Sequence, residues 1–156
     1  MGRNIRRKII IFFASGFLTG YSPVVSGTVG TVAGIAVYLP LSLLPIPLYI
    51  FAAILLTGAA VWLSAEAARI YDHKDPPEVV IDEIAGYLFA MATFAPDWRF
   101  IAAGFFIFRF FDIVKPFPAN RINDKVTGGT GIVFDDVVAG IYTNVCLQLM
   151  RLLLSW

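Results

Sequence analysis

Charge is what this sequence is short of. Only 15% of its 156 residues are Asp, Glu, Lys or Arg, against about a quarter in an average soluble domain. Between Lys8 and Glu66 there is none, so residues 9–65 run for 57 positions without a formal charge. A soluble domain of this length has too little interior to hide that much apolar surface. The pattern excludes an ordinary water-soluble fold and makes the bilayer the expected solvent. Cysteine occurs once, at Cys146, which excludes an internal disulfide. Four residues separate it from Arg151, one short of the loop that cysteine phosphatases use. Histidine also occurs once, at His73 in a charged loop, so a zinc site of His and Cys or a reaction needing two histidines is out of reach. A net charge of +1 supplies no field that would draw nucleic acid, and no nucleic-acid partner is expected. Internal repeats, low-complexity tracts and soluble appendages are absent, and residues 1–156 read as one integral-membrane domain.

What the chain has instead is apolar length: 58% hydrophobic residues and a mean hydropathy of +0.77. The expected architecture is an all-α, polytopic membrane helical bundle of four to five membrane helices plus an N-terminal interfacial or re-entrant helix. The segments are Val29–Leu44, Pro47–Ala65 continuing to about Ile70, Ile84–Ala95 with the turn from Val79, Trp98–Val114 and Ile132–Trp156. Residues 9–20 are too few to span and follow the basic run Arg3, Arg6, Arg7 and Lys8, hence the interfacial or re-entrant reading. Trp98 and Trp156 suit interface anchors. Ten Lys and Arg residues (3, 6, 7, 8, 69, 74, 109, 115, 121 and 125) fall on or near one side of this arrangement and two, Arg99 and Arg151, on the other. That bias puts the N-terminus and the charged loops in the cytosol.

The same topology gathers the acids at one membrane face. Asp82 and Glu83 open one apolar segment, Asp112 closes another, and Asp135 and Asp136 open the last. Acids at helix N-termini cap free N–H groups and suit the helix dipole, a purely structural use. Asp112 defeats that explanation, because an acid near a helix C-terminus is disfavoured. Five carboxylates near the hydrocarbon boundary repel one another unless a cation joins them, and hard oxygen ligands point to Mg²⁺ or Mn²⁺.

Cations and small residues complete the pattern. Arg109, Asp112 and Lys115 are spaced i, i+3, i+6 ahead of Pro116 and Pro118, which end the helix at an aqueous boundary. The spacing fits a local ion-paired ladder and also a guanidinium fork and an ammonium poised for phosphate. Ser26, Gly27, Thr28, Gly30 and Thr31 offer hydroxyls and bare backbone at the start of a helix, where anions bind readily; they match neither Walker A nor a dinucleotide loop. Gly30 and Gly34 equally suit close helix packing. In the last helix Asp136, Gly140 and Asn144 share a stripe, with Asn144 placed to hydrogen-bond across the bundle.

The blocks SPVVSGTVGT, KDPPEVVIDEIAG, FRFFDIVKPFPANRIND and GGTGIVFDDVVAG, in that order, resemble the bacterial phosphatidylglycerophosphatase A family. The resemblance implies a Mg²⁺-dependent inner-membrane enzyme that removes the terminal phosphate of phosphatidylglycerophosphate, acting on a membrane lipid at the cytosolic face. It implies Asp82, Glu83, Asp112, Asp135 and Asp136 as catalytic and metal-binding acids. Arg109, Lys115 and Ser26, Gly27, Thr28, Gly30 and Thr31 would hold the phosphate. The nucleophile, water or a carboxylate, stays open, as does the oligomeric state. Two other readings compete. An ion transporter would need its acids near the bilayer midplane. A CDP-alcohol-type phosphatidyltransferase would carry an arginine where Asp-Asp-Val-Val-Ala-Gly has Gly140.

Overall fold

The structure is a computed structural model that describes residues 2–154, with side chains from Asn4 onward. Trp156 and the side chain of Arg3 therefore lie outside the described residues. The described chain is entirely helical: α1 (Gly2–Ala14), a 3₁₀ turn (Thr19–Tyr21), α2 (Ser26–Leu41), α3 (Ile46–Tyr71), α4 (Ile81–Ala90), α5 (Trp98–Val114), α6 (Ala119–Lys125) and α7 (Gly129–Leu154).

Local chemistry explains most boundaries. The α1 helix takes in the basic arm as well as the apolar stretch, starting well before residue 9, because Arg6 pairs with Glu66 of α3 at 3.0 Å while Ile10 and Ala14 pack beneath it. It stops where Gly16, Phe17 and Leu18 all take positive φ. Asp72 in the left-handed region ends α3, and Lys115 does the same for α5 just before Pro116. The start of α5 is capped by Asp97, whose carboxylate accepts the Arg99 N–H at 2.9 Å.

Two helices are long and apolar enough to cross a membrane, α3 and α7, each of 26 residues. In each, only 28% of the most apolar window is buried inside the protein, so these are not the core helices of a soluble domain. Their outer faces carry Phe51, Leu55, Ile141 and Leu149, all more than half exposed or close to it.

At the centre sits α4, packed by α7, α2, α3 and α5. Helix is confined here to Ile81–Ala90, where the sequence pattern suggests an apolar segment running on to Ala95. Ten residues rise only about 15 Å. The helix ends because the chain turns through Met91 and Thr93, the latter at φ 73°, to let α5 start. Its surroundings are aromatic and paired: the buried Tyr38, Tyr49 and Tyr87 hydroxyls donate to the carbonyls of Phe94, Leu88 and Ile101 at 3.0, 2.6 and 3.0 Å. Asn144 does reach across the bundle, donating to the carbonyls of Ala90 and Ala92 at 3.0 and 2.7 Å.

The contact between α4 and α7 is made backbone to backbone. A Cβ on Gly140 would overlap the Gly86 carbonyl oxygen, and one on Gly86 would lie 2.6 Å from the Asp136 carbonyl oxygen. Gly30 and Gly34 serve packing in the same manner, against Val80 and Tyr87. By contrast nothing stands within 4 Å of a Cβ on Gly58 of α3. Gly140→Ala should therefore lower stability by about 1–3 kcal/mol through overpacking, whereas Gly58→Ala should be neutral or stabilising by up to about 1 kcal/mol from helix propensity. Thermal unfolding of the two variants in the same detergent checks this, and equal melting temperatures would contradict the close-contact account.

Candidate functional site

One end of the bundle collects the N-terminus of α2, the Asp72–Val80 loop, the first turn of α4, the last turn of α5 and the second turn of α7. The elements are tied together there. The Val80 N–H donates to the Ala14 carbonyl at 3.0 Å, and Lys74 donates to the Asn123 carbonyl at 2.7 Å. These elements surround a cavity of about 220 Å³ lined by Ser26, Asp75, Asp82, Glu83, Asp112, Lys115 and Asp136, with Pro76, Pro77 and Val79 as its apolar wall.

The acids divide into two groups. Asp82, Glu83 and Asp136 each offer a carboxylate oxygen, and these atoms all lie within 4.8 Å of one another. Asp82 is 7% exposed and Asp136 3%. Among the described residues Asp82 Oδ1 and Glu83 Oε2 are buried without a hydrogen-bond partner. Buried carboxylate oxygens are expensive to leave unpaired, so this trio has the spacing and the unmet demand of a hard-cation site. Asp112 and Asp135 are occupied otherwise: Asp112 pairs with Arg109, and Asp135 with Lys115.

Asp135 and Asp136 do not sit in the first turn of their helix, where the sequence suggests them. The α7 helix starts at Gly129, so both acids fall in its second turn, beyond the free N–H groups that a capping acid serves. The early start has a packing cause. A Cβ on Gly129 would overlap the Val61 carbonyl of α3, and one on Gly131 would overlap that of Val126.

Two cations face the acids. Arg109 stands 3.8 Å from Glu83 and pairs with Asp112 one turn along α5, with its buried Nε unpartnered. A Cβ on Gly27 would overlap Glu83 Oε1 and come within 2.8 Å of Arg109 Nη1, so the bare α2 backbone is what lets Arg109 reach this position. Desolvation alone would lower the Lys115 pKa, but its hydrogen bond to Asp135 and the charges of Asp135, Asp136 and Asp112 outweigh that and raise it. The ammonium stays charged throughout the physiological range.

Of the α2 residues that stand out in the sequence, Ser26 lines the cavity and Gly27 abuts Glu83 and Arg109. Thr28 is partly exposed in the same turn. Gly30 lies against Val80, and the fully buried Thr31 hydroxyl donates to the Gly27 carbonyl at 2.8 Å; both occupy packing positions. Asp75 is not among the acids that the sequence pattern marks, yet it lines the cavity. The atoms packed about its carboxyl raise its pKa above the ordinary range, against the lowering charge of Lys115. Its one signal in the sequence is its place seven residues before Asp82, across Pro76 and Pro77. Six carboxylates (75, 82, 83, 112, 135 and 136) thus meet two cations (109 and 115).

Because Asp135 is only 3% exposed, removing its partner strands a buried charge. Lys115→Met should destabilise the protein by about 3 kcal/mol, and adding Asp135→Asn to it should restore part of the loss. Denaturant unfolding of the single and double variants measures the coupling. A double variant no more stable than the single one would refute a net role for the pair.

The sequence pattern of the phosphatidylglycerophosphatase A family matches residues 12–151. Phosphatidylglycerophosphatase A of Escherichia coli K12 is 39% identical over 129 residues, covering 82% of this chain and 75% of that one. Its Haemophilus influenzae counterpart is 35% identical over 135 residues, 85% and 83% of the two chains. A putative phosphatidylinositol-3-phosphatase of Bacteroides thetaiotaomicron is 30% identical over 150 residues, 90% and 92%. No solved structure matches the chain. With a match across nearly its whole length, and with the acids, Arg109 and Lys115 gathered at one end of an all-helical bundle, the chain belongs to the phosphatidylglycerophosphatase A family.

Proposed function

We propose that this chain hydrolyses phosphatidylglycerophosphate to phosphatidylglycerol and inorganic phosphate, with Mg²⁺ held by Asp82, Glu83 and Asp136. The observation that carries the reading is the trio of carboxylates within 4.8 Å of one another beside Arg109 and Lys115, in a chain of this family. A phosphomonoester dianion needs positive charge around its equatorial oxygens and a fixed line of attack. Mg²⁺, when bound, supplies Lewis-acid neutralisation of the phosphoryl oxygens.

The chain's own groups do the rest. The Arg109 guanidinium, fixed by Asp112 and Glu83, holds one edge of the phosphate, and Lys115, fixed by Asp135, holds another. Asp112 and Asp135 are positioning acids in this scheme. Ser26 and Thr28, with the bare backbone at Gly27, form the wall of α2 against which the phosphate rests; Gly30 and Thr31 hold that wall in place. Asp75 stands at the mouth of the cavity, where the loop meets water. Hydrolysis breaks the bond between phosphorus and the glycerol oxygen, forms one to a water oxygen, and returns a proton to the departing alkoxide.

The same end-to-end asymmetry supports an orientation in the bilayer. We read α2, α3, α5 and α7 as four crossings of the bacterial inner membrane, with α4 buried among them. We read α1 as interfacial, with Arg6, Arg7 and Lys8 toward the headgroups and the exposed Ile5, Ile9 and Phe12 toward the acyl chains. Apolar outer faces support this on α5, where Phe106 and Ile113 are 71% and 70% exposed, and on α7, where Leu152 is 75% exposed. The basic residues cluster at the end that holds the acids, which supports a cavity at the cytosolic headgroup level.

Asp136→Asn keeps the shape of the side chain but removes a charged ligand, and activity on phosphatidylglycerophosphate should fall about 10²-fold or more. Wild-type protein should also gain melting temperature with millimolar Mg²⁺ or Mn²⁺, and the variant should lose that gain. Near-normal turnover in the folded variant would sink the metal role of the trio.

Topology is checked separately. In a Cys146→Ala background, a cysteine at Asp124 should react with an impermeant thiol reagent only when the cytosolic face of vesicles is exposed. A cysteine at Ala95 should react only from the opposite face. The reverse pattern would move the site to the outer surface.

A further inference from the structure

Helices α2 and α3 are consecutive in the chain, yet neither makes its main contact with the other; both pack on α4. A cavity of about 280 Å³ lies between them. Its walls include Val37 of α2, Ala59 and Leu63 of α3 and Ile84 of α4, with Phe13 of α1 and Phe17 in the turn after it. Among the described residues no charged or hydrogen-bonding side chain lines it, so water finds no partner there. The sequence cause is the pair Ala59 and Ala60 on α3, two lining positions with only a methyl group to fill the space. Ala59 is exposed, and Phe13 and Phe17 are 42% and 54% exposed. The cavity therefore opens sideways onto the apolar belt that includes Phe51, Leu55 and Trp62.

Depth matches an acyl chain as well. Val37 is eleven residues along α2 from Ser26 at the acidic end, about 16 Å at 1.5 Å per residue. The fissure thus runs from headgroup level toward the middle of the hydrocarbon. It is also walled off from the acidic cavity. Asp82 and Glu83 face that cavity, while Ile81 and Ile84 of the same turn face the fissure. Val80 seals the top, lying 2.9 Å from a Cβ built on Gly16 and 2.7 Å from one on Gly30. A tail belonging to a lipid whose phosphate sits among the acids has no direct passage past Val80 into the fissure.

We infer that the α2–α3 fissure is a binding groove for one acyl chain of a bilayer phospholipid that is not the substrate, held as a wedge between the two helices. Left empty, the lining would forfeit its dispersion contacts on one side; filled, it gives α2, α3 and α4 a common packing partner. The tail rests against Ile84, directly after Glu83 in sequence, so it braces the turn that carries two of the acids.

The test does not depend on catalysis. Protein is reconstituted in vesicles of phosphatidylcholine, which has no phosphomonoester, with a diazirine midway along one acyl chain, then irradiated and digested. The label is expected on the α3 peptide around Leu56–Leu63 and near Phe13–Phe17. Ala59→Phe, which plugs the groove from its exposed side, should lose most of the α3 label while Trp62 on the outer face stays accessible to it. Val37→Phe plugs the opposite wall and serves if Ala59→Phe fails to fold. Labelling unchanged in a folded plug variant, or none in wild type, would overturn the groove. Labelling only by a diazirine phosphatidylglycerophosphate would overturn the non-substrate assignment and make the fissure a tail site for the substrate.

Discussion

The closeness of α4 to α7 is the constraint on which the site depends. Each helix brings a glycine, Gly86 and Gly140, one turn below an acid, Asp82 and Asp136. With no Cβ at either glycine the two backbones touch, and the carboxylates one turn above are carried to within 4.8 Å of each other. A methyl group at that contact would separate the acids as well as the helices. A cluster of mutually repelling buried acids is thus held in place by a close backbone contact.

That electrostatic tension is relieved unevenly. Arg109 comes from the C-terminal half of α5 and Lys115 is the residue that ends it, and each takes a carboxylate, Asp112 and Asp135. What remains is a trio of acids with two buried oxygens unpartnered, and a clear excess of negative over positive charge around one small cavity. A divalent cation would answer both deficits, and a phosphate brought to it would meet the guanidinium and ammonium on its other side. The division of the acids into paired and unpaired sets separates the proposed ligands from the groups that aim the cations.

Several features are legible in residue order alone. The uncharged run of residues 9–65, the alternation of apolar segments with charged loops, and the bias of Lys and Arg prescribe a helical bundle with its chemistry at one end. The i, i+3, i+6 spacing of Arg109, Asp112 and Lys115 prescribes their shared neighbourhood, because helical periodicity is local and each residue's place follows from its neighbours. Asn144, on the stripe of Asp136 and Gly140, is legible for the same reason.

Other features depend on contacts between segments far apart in the chain. The reduction of α4 to ten residues reflects where α5 must begin, which no local pattern in the Ile84–Ala95 stretch records. Asp135 and Asp136 lie in the second turn of α7 because Gly129 and Gly131 press against Val61 and Val126, and glycine by itself argues against a helix start there. Asp75 joins the site only because the loop after α3 folds over it. The sequence by itself determined the helical class, the family and the residue types of the site, since these follow from composition, period and ordered motifs. Which three acids converge, which two are claimed by cations, and which glycines touch a partner rather than a ligand were decided by tertiary structure, because each depends on a distance between helices that residue order does not encode.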